Sequence, residues 1–258
     1  TNYATVQGST PPTGTAVATG AHGMAGIVGD ADIINLTVDG CSNYSNLSAG
    51  NYYIAGIIGY IKNSSTTTAA TVNINDTHNY GQINGGMNVG GIIGVVMDTS
   101  SVSGNVVTIT DCTNNNSISC IRFGGGIVGG ITSSWQTIID SCINNNAISA
   151  SFSGTTETTV NLGGIAGYIE YGSGGSITNC SNSNTVQMTV NNATGTNVGG
   201  IVGRLAPNSG VTVEDCENTS QITGYKNIAK MIASHHGRSD WGAMIDRSEE
   251  RRVGKECR

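Results

Sequence analysis

Hydrophobic residues in this chain occur in short runs in which they alternate with polar residues. The segments at 106–110 (VVTIT) and 211–213 (VTV) show this alternation clearly. Such runs are rich in β-branched residues and are bounded by Gly, Asn and Ser, as short β-strands are. No segment keeps the 3.6-residue apolar period of an amphipathic helix. The pattern therefore predicts an all-β protein.

A Gly-Ile-aliphatic-Gly segment recurs six times, with Ala166 in the aliphatic position of the fifth copy. The copies begin at Gly26, Gly56, Gly91, Gly126, Gly164 and Gly200, so successive copies are 30, 35, 35, 38 and 36 residues apart. A fixed unit with a slightly variable period is typical of a repeat architecture, in which insertions occupy loops. We therefore expect one structural unit in each repeat.

A second landmark stays in phase with the first. It is a Cys-x-Asn segment, and Leu, Ile or Val follows four residues beyond its Asn. The Cys position holds Cys41, Cys112, Cys142, Cys180 and Cys216, with Thr77 in the second repeat. The Asn position holds Asn43, Asn79, Asn114, Asn144, Asn182 and Asn218. Because the two landmarks stay in phase over six copies, both belong to the same unit.

Stacked units of this kind predict a parallel β-solenoid (β-helix) of about six coils, built from repeats of 30–38 residues. Neighbouring strands in a sheet lie about 4.7–4.9 Å apart, so equivalent residues form ladders. We expect one interior row to consist of Ile27, Ile57, Ile92, Ile127, Ile165 and Ile201.

Each Gly-Ile segment is predicted to be a single strand. The aliphatic residue after each Ile then faces the opposite side of that strand. The flanking glycines are expected to permit tight bends and close backbone approach. The ladder Asn is predicted at a corner with left-handed backbone, bonded to its own backbone and to the Asn of the next coil.

We expect four regions along the chain. Residues 1–23 are a linker or an incomplete first repeat, 24–233 the solenoid, 234–246 a degenerate or truncated end, and 247–258 a non-native tail. The tail, RSEERRVGKECR, resembles the translation of a common sequencing adapter at all twelve positions. A genuine charged terminus is the alternative. Because the chain begins within repeat-like sequence, we expect the protein to extend beyond both ends.

Charge excludes one class of partner. The chain has 11 Lys and Arg against 17 Asp and Glu, for a net charge of -6. Before residue 226 the basic residues are Lys62, Arg122 and Arg204 alone. A phosphate backbone requires neutralisation by basic side chains, so we expect no nucleic-acid partner. No apolar run reaches the 18 residues of a transmembrane helix, so no membrane span is expected.

The cysteines do not have the spacing of a metal site. Zinc ligands cluster as Cys-x-x-Cys or with nearby His, whereas five of these cysteines recur once per repeat. The spacing favours a row of small, buried, reduced thiols, and a disulfide framework is the alternative. Cys120 lies outside the row. We expect no cofactor.

The remaining polar residues also indicate no catalytic or metal site. The four histidines, His22, His78, His235 and His236, form no His-Glu-x-x-His pattern. Adjacent strand residues point in opposite directions, so His235 and His236 beside Asp240 favour a polar loop over a metal site. Asp76, Asp111 and Asp215 share the position before the Cys row, which Gly40, Ser141 and Asn179 interrupt. A broken row predicts solvent exposure, whereas an unbroken one could bind calcium.

The Gly-Gly-Ile-Val-Gly segment, the Cys-x-Asn corner and the closing aliphatic residue resemble the GLUG-motif repeats of bacterial surface and secreted proteins. The resemblance covers roughly residues 24–233. In that family the repeats accompany adhesin-like proteins and some secreted IgA-type metallopeptidases. The resemblance implies an extracellular or cell-surface segment with a structural or adhesive role and no catalytic activity. Its expected partner is a host or matrix protein or glycan.

Two alternatives remain open. The segment could be the repeat region of a secreted metallopeptidase whose catalytic domain lies elsewhere. It could also be a carbohydrate-active β-helix enzyme of the lyase or glycosidase type. Such an enzyme requires carboxylates, with a basic residue beside them, clustered on one coil face. The three basic residues before residue 226 give no sign of that cluster in the sequence.

Overall fold

The computed structural model describes residues 6–7, 22–50, 53–97, 102–150, 159–170, 172–189, 195–206, 209–224, 227–229 and 231–235. Every helix or strand in these ranges is a β-strand, and the strands form five parallel sheets. The prediction of an all-β parallel β-solenoid is therefore confirmed. No helix among the described residues is long and apolar enough to cross a membrane. The predicted tail at 247–258, the end at 236–246 and most of 1–23 lie outside the described residues.

We number the sheets in the order in which a coil visits them. Sheet 1 comprises Gly23–Ala25, Tyr53–Ala55, Asn88–Gly90, Phe123–Gly125, Thr159–Gly163, Gly195–Gly199 and Ile228–Ala229. Sheet 2 comprises Val28–Asp32, Ile58–Lys62, Ile93–Val96, Val128–Ile131, Ala166–Ile169, Val202–Leu205 and Ile232–His235. Sheet 3 comprises Asn35–Asp39, Thr71–Asn75, Val106–Thr110, Trp135–Asp140, Gly172–Thr178 and Val211–Glu214.

The two remaining sheets consist of shorter strands. Sheet 4 comprises Ser42–Asn43, His78–Asn79, Thr113–Asn114, Ile143–Asn144, Ser181–Asn182 and Glu217–Asn218. Sheet 5 comprises Val6–Gln7, Leu47–Ala49, Ile83–Gly85, Ile118–Cys120, Ile148–Ala150, Val186–Met188 and Ile222–Thr223.

Six coils follow one another, and each passes through sheets 1 to 5 in order. Every strand pairs in parallel with its equivalents in the neighbouring coils, as Ile109 does with Ile74 and Ile139. Equivalent residues of successive repeats therefore stack. The glycine-poor strands Ile228–Ala229 and Ile232–His235 add a seventh strand to sheets 1 and 2, so this segment begins a further coil.

The Gly-Ile segment is a bend, and the prediction of a single strand was wrong. Gly56 and Ile57 form the turn between the strands Tyr53–Ala55 and Ile58–Lys62. The bend interrupts the alternation of side chains, so Ile57 and Ile58 both point into the same core. The prediction that they face opposite sides fails for this reason. The backbone at the bends still bonds to the next coil, where Ile127 N donates to the carbonyl oxygen of Ile165 at 3.0 Å.

The interior contains two separate hydrophobic cores. The first lies between sheets 2 and 3 and includes the Ile row and the Cys row. Its Ile row is fully buried at Ile57, Ile92, Ile127, Ile165 and Ile201, and half-buried at Ile27 in the first coil. The second core lies between sheets 1 and 5 and contains residues such as Ile54 and Ile118.

A left-handed corner precedes the Cys row in every coil. The φ angles are 59° at Gly40, 46° at Asp76, 54° at Asp111, 55° at Ser141, 53° at Asn179 and 52° at Asp215. Only Gly, and to a lesser extent Asn and Asp, adopt this conformation readily. The left-handed position is therefore three residues before the ladder Asn, and the prediction that placed it at that Asn was wrong. The three aspartates of the row are exposed to solvent.

The corner at Asp111 provides a test of this conformational requirement. We expect Asp111→Val to lower the free energy of unfolding by about 1–2 kcal/mol, because a β-branched side chain is strained in the left-handed region. Asp111→Gly should leave stability unchanged or raise it, since Gly adopts that region freely. Urea denaturation followed by circular dichroism measures both variants. Equal stability of the Val and Gly variants would contradict the conformational account of this row.

Candidate functional site

The six ladder asparagines form a continuous chain of buried hydrogen bonds. In each coil the Asn Nδ2 donates to the Asn Oδ1 of the next coil, at 2.7–2.8 Å in all five steps. Each of these side chains is at most 2% exposed. The chain comprises Asn43, Asn79, Asn114, Asn144, Asn182 and Asn218. Since all donors point in the same direction, the bonds polarise and strengthen one another.

Each ladder Asn also fixes the turn into sheet 5. The Nδ2 of Asn114 donates to the carbonyl oxygen of Asn116 at 2.8 Å, and Asn79 does the same to Gly81. In the first coil the Oδ1 of Asn43 accepts from the backbone N of Ser45 at 3.0 Å. A buried amide must satisfy both its donors and its acceptor. Asp lacks the donor and Leu lacks both groups, so the position requires Asn.

The two sequence landmarks meet at the bend glycine. A Cβ at Gly126 would lie 2.6 Å from the Cβ of Asn144 in the same coil. The equivalent distances are 2.6 Å from Gly56 to Asn79 Cγ and 2.7 Å from Gly91 to Asn114 Cβ. The bend glycines have no positive φ, so they are needed for close approach to the Asn ladder. This contact lies between the two cores.

The side chains of the Cys row donate hydrogen bonds to backbone carbonyl oxygens across the left-handed corner. Cys142 Sγ donates to the carbonyl oxygen of Asp140 at 3.3 Å, and Thr77 Oγ1 donates to that of Asn75 at 2.8 Å. A small side chain with one donor satisfies this position, which explains the exchange of Cys for Thr. All described cysteines are free thiols.

The thiols of the row also interact with one another. Contacts with Cys112 and Cys180, together with burial, raise the pKa of Cys142 well above its ordinary value. Hydrogen bonds from Cys142 and Cys216 lower the pKa of Cys180. Contact with Cys180, together with burial, raises the pKa of Cys216.

In the described residues no group of three or more His, Cys, Asp or Glu could hold a metal ion. His78 Nε2 lies 3.1 Å from Asp76 Oδ1, and His22 Nδ1 lies 3.7 Å from Asp30 Oδ2. His236 and the side chain of His235 lie outside the part of the chain that the structure describes.

The two arginines of the repeats lie over aromatic rings. The Arg122 guanidinium lies 5.0 Å from the Phe123 ring centroid, and that of Arg204 lies 5.3 Å from the Tyr168 centroid. The Phe123 and Tyr168 rings stack at 5.4 Å. Within the described part of the chain neither arginine makes an ion pair with a carboxylate. Sequence reasoning missed this stack, because its four residues come from three coils and follow no repeated pattern.

The comparison with protein families explains the repeat unit. The model of the GLUG motif matches residues 158–187. This segment begins at the sheet 1 strand Thr159–Gly163 and ends within the sheet 5 strand Val186–Met188, so one motif corresponds to one coil. This coil carries a GLUG motif. The match confirms the resemblance for this coil, and the two neighbouring coils pair with it in register. None of the curated proteins and none of the solved structures matches the chain.

The contact between bend glycine and ladder asparagine predicts the cost of a single methyl group in a GLUG repeat. Gly126→Ala should destabilise the protein by about 1–3 kcal/mol, because the methyl group overlaps Asn144 and the backbone of the next coil. The matched control is Gly195→Ala, where the nearest atom is Thr159 Oγ1 at 3.3 Å. Thermal unfolding of both variants provides the comparison. Similar melting temperatures would refute the close-approach account.

The buried Cys120 of the second core predicts that the stability of the protein depends on pH. Burial raises the pKa of this thiol from 9.0 to about 12. The unfolded chain therefore loses this proton at lower pH than the folded chain, and wild-type stability should fall as the pH rises from 9 towards 12. Cys120→Ala removes this contribution, so its stability deficit at pH 7 should shrink as the pH rises. Urea midpoints at pH 7, 9 and 11 test this, and a constant deficit would contradict it.

Proposed function

We propose that the GLUG repeats form a non-catalytic structural and adhesive segment of a larger extracellular or cell-surface protein. The observation that supports this most is the placement of the recurring side chains. The Ile, Cys or Thr, and Asn rows lie in the interior and stack coil on coil. Their recurrence therefore serves the stacking of coils.

The surface, in contrast, varies from coil to coil. The outward position after each ladder Asn holds Tyr44, Tyr80, Asn115, Asn145, Ser183 and Thr219 in turn. A scaffold with a constant interior and a variable exterior can present different contacts along its length. Hydroxyl, amide and aromatic groups of this kind suit a protein or glycan partner of a host or matrix.

The basic residues do not favour the enzyme alternative. A glycosidase or lyase requires carboxylates beside the reacting bond. The two arginines lie over aromatic rings, and neither makes an ion pair with a carboxylate of the described residues. Asp140, which accepts hydrogen bonds from Thr178 and Asn179, has a lowered pKa. A general acid requires a raised pKa, so Asp140 is suited to a structural role.

An assay for both cleavage and binding tests the proposed function. We expect the full chain to release no reducing ends or unsaturated products from a panel of neutral and anionic polysaccharides. We expect it to bind at least one glycan or matrix protein on an array, and Asp32→Asn or Asp140→Asn should leave that binding unchanged. Cleavage that one exposed carboxylate substitution abolishes would overturn the proposal and establish the enzyme. Absence of binding on every array would remove the adhesive role.

A further inference from the structure

We propose that the Cys row is a disulfide-forming site, in which Cys112 pairs with Cys142 and Cys180 pairs with Cys216. This assignment concerns the four cysteines that occupy equivalent positions in four consecutive coils. It rests on the arrangement of the row, and it does not depend on the proposed extracellular role.

The register places each cysteine directly beside the next. Cys112 and Cys142 lie between the paired residues Thr110 with Asp140 and Thr113 with Ile143. The same flanking pairs align Cys142 with Cys180 and Cys180 with Cys216. Neighbouring strands are about 4.7–4.9 Å apart, which falls within the range of about 4.4–6.8 Å between the Cα atoms of disulfides.

The sulphur atoms also point the same way. Each thiol reaches the carbonyl oxygen of a sheet 3 residue in the preceding coil: Cys142 to Ile109 at 3.6 Å, Cys180 to Ile139 at 3.7 Å and Cys216 to Ile177 at 3.5 Å. Interaction with the neighbouring thiols of Cys112 and Cys180, together with burial, raises the pKa of the Cys142 thiol. The shared direction and the strand register place neighbouring sulphur atoms side by side.

The number of adjacent thiols decides which pairs form. Thr77 separates Cys41 from the other four, so the uninterrupted row contains four cysteines. A bond between Cys142 and Cys180 would leave Cys112 and Cys216 three coils apart, at about 14 Å from the strand spacing. Disulfides do not span more than about 7 Å between Cα atoms. Only the two outer pairs use every thiol in the row.

The oxidant in this reaction is a small-molecule disulfide such as glutathione disulfide. The half-buried Cys216 loses its proton and attacks one glutathione sulphur, which forms a mixed disulfide and releases one glutathione thiolate. The Cys180 thiolate then attacks the Cys216 sulphur and expels the second glutathione. The two cysteines lose two electrons and two protons in total, and glutathione disulfide is reduced to two glutathione molecules.

The pair formed by Cys112 and Cys142 reacts by the same steps. Both of these thiols are fully buried, so their oxidation requires local opening of the coils or takes place during folding. Each bond joins two neighbouring coils. Because a coil in a repeat protein contacts only its neighbours, the two bonds resist separation between the third and fourth coils and between the fifth and sixth.

Peptide mapping of the oxidised protein tests the proposal. The full chain carries Cys257→Ser, which removes the one thiol outside the described residues, and is refolded in a glutathione redox buffer. Circular dichroism verifies the fold, and free thiols are alkylated before digestion. We expect linked peptides for Cys112 with Cys142 and for Cys180 with Cys216, with Cys41 and Cys120 alkylated. Alkylation of all six cysteines in the folded protein, or a link between Cys142 and Cys180, would overturn the proposal.

Two variants provide independent tests of the pairing. Thr77→Cys fills the gap in the row, and we expect a third bond between residues 41 and 77 under the same conditions. Cys216→Ser should leave Cys180 open to alkylation while Cys112 and Cys142 remain linked. The melting temperature of the oxidised protein should fall when a reductant is added. If Thr77→Cys folds without a third bond, stacked thiols in this row do not pair and the proposal fails.

Discussion

The chain of hydrogen bonds between buried asparagines is the interaction on which the rest of this structure depends. It places one amide per coil in the interior, where an unpaired donor or acceptor would cost about 1–3 kcal/mol. Those amides are satisfied only when successive coils stack with their asparagines opposite one another. The ladder therefore sets the register of every sheet, and the hydrophobic rows align as a consequence.

The ladder also determines the shape of each coil. Its asparagines approach the Gly bend so closely that a Cβ on most of the bend glycines would overlap them. The bend and the ladder meet between a core of sheets 2 and 3 and a core of sheets 1 and 5. Since these contacts repeat in every coil, the loops between strands can vary in length without changing the stack. A scaffold that tolerates such variation suits the presentation of changing surfaces.

The sequence predicted those features that depend on repetition. Stacking of equivalent residues follows from the in-phase landmarks. The members of the Ile row could therefore be predicted to stack on one another, and so could those of the Asn row, without knowing the fold in detail. The bend at Gly56 and Ile57 could not be predicted in the same way. An apolar segment of four residues fits a strand as well as a turn, and periodicity alone does not distinguish them.

Two other features depend on contacts that the sequence does not contain. The left-handed corner at Asp111 is apparent only when Gly40, Ser141 and Asn179 are recognised as its equivalents, and these residues share no common side chain. The stack of Phe123 on Tyr168 joins residues of different coils and different sheets. No spacing within one repeat predicts such a contact.

A double-mutant cycle on the ladder tests the central claim most directly. Asn114→Ala and Asn144→Ala remove partners joined by a 2.8 Å bond. Measured by urea unfolding, the double variant should lose less stability than the sum of the single variants, with a coupling of about 0.5–3 kcal/mol. Asn79→Ala and Asn182→Ala, three coils apart, should be additive within about 0.5 kcal/mol. Additivity in the adjacent pair would contradict the claim that the asparagine chain holds the coils in register.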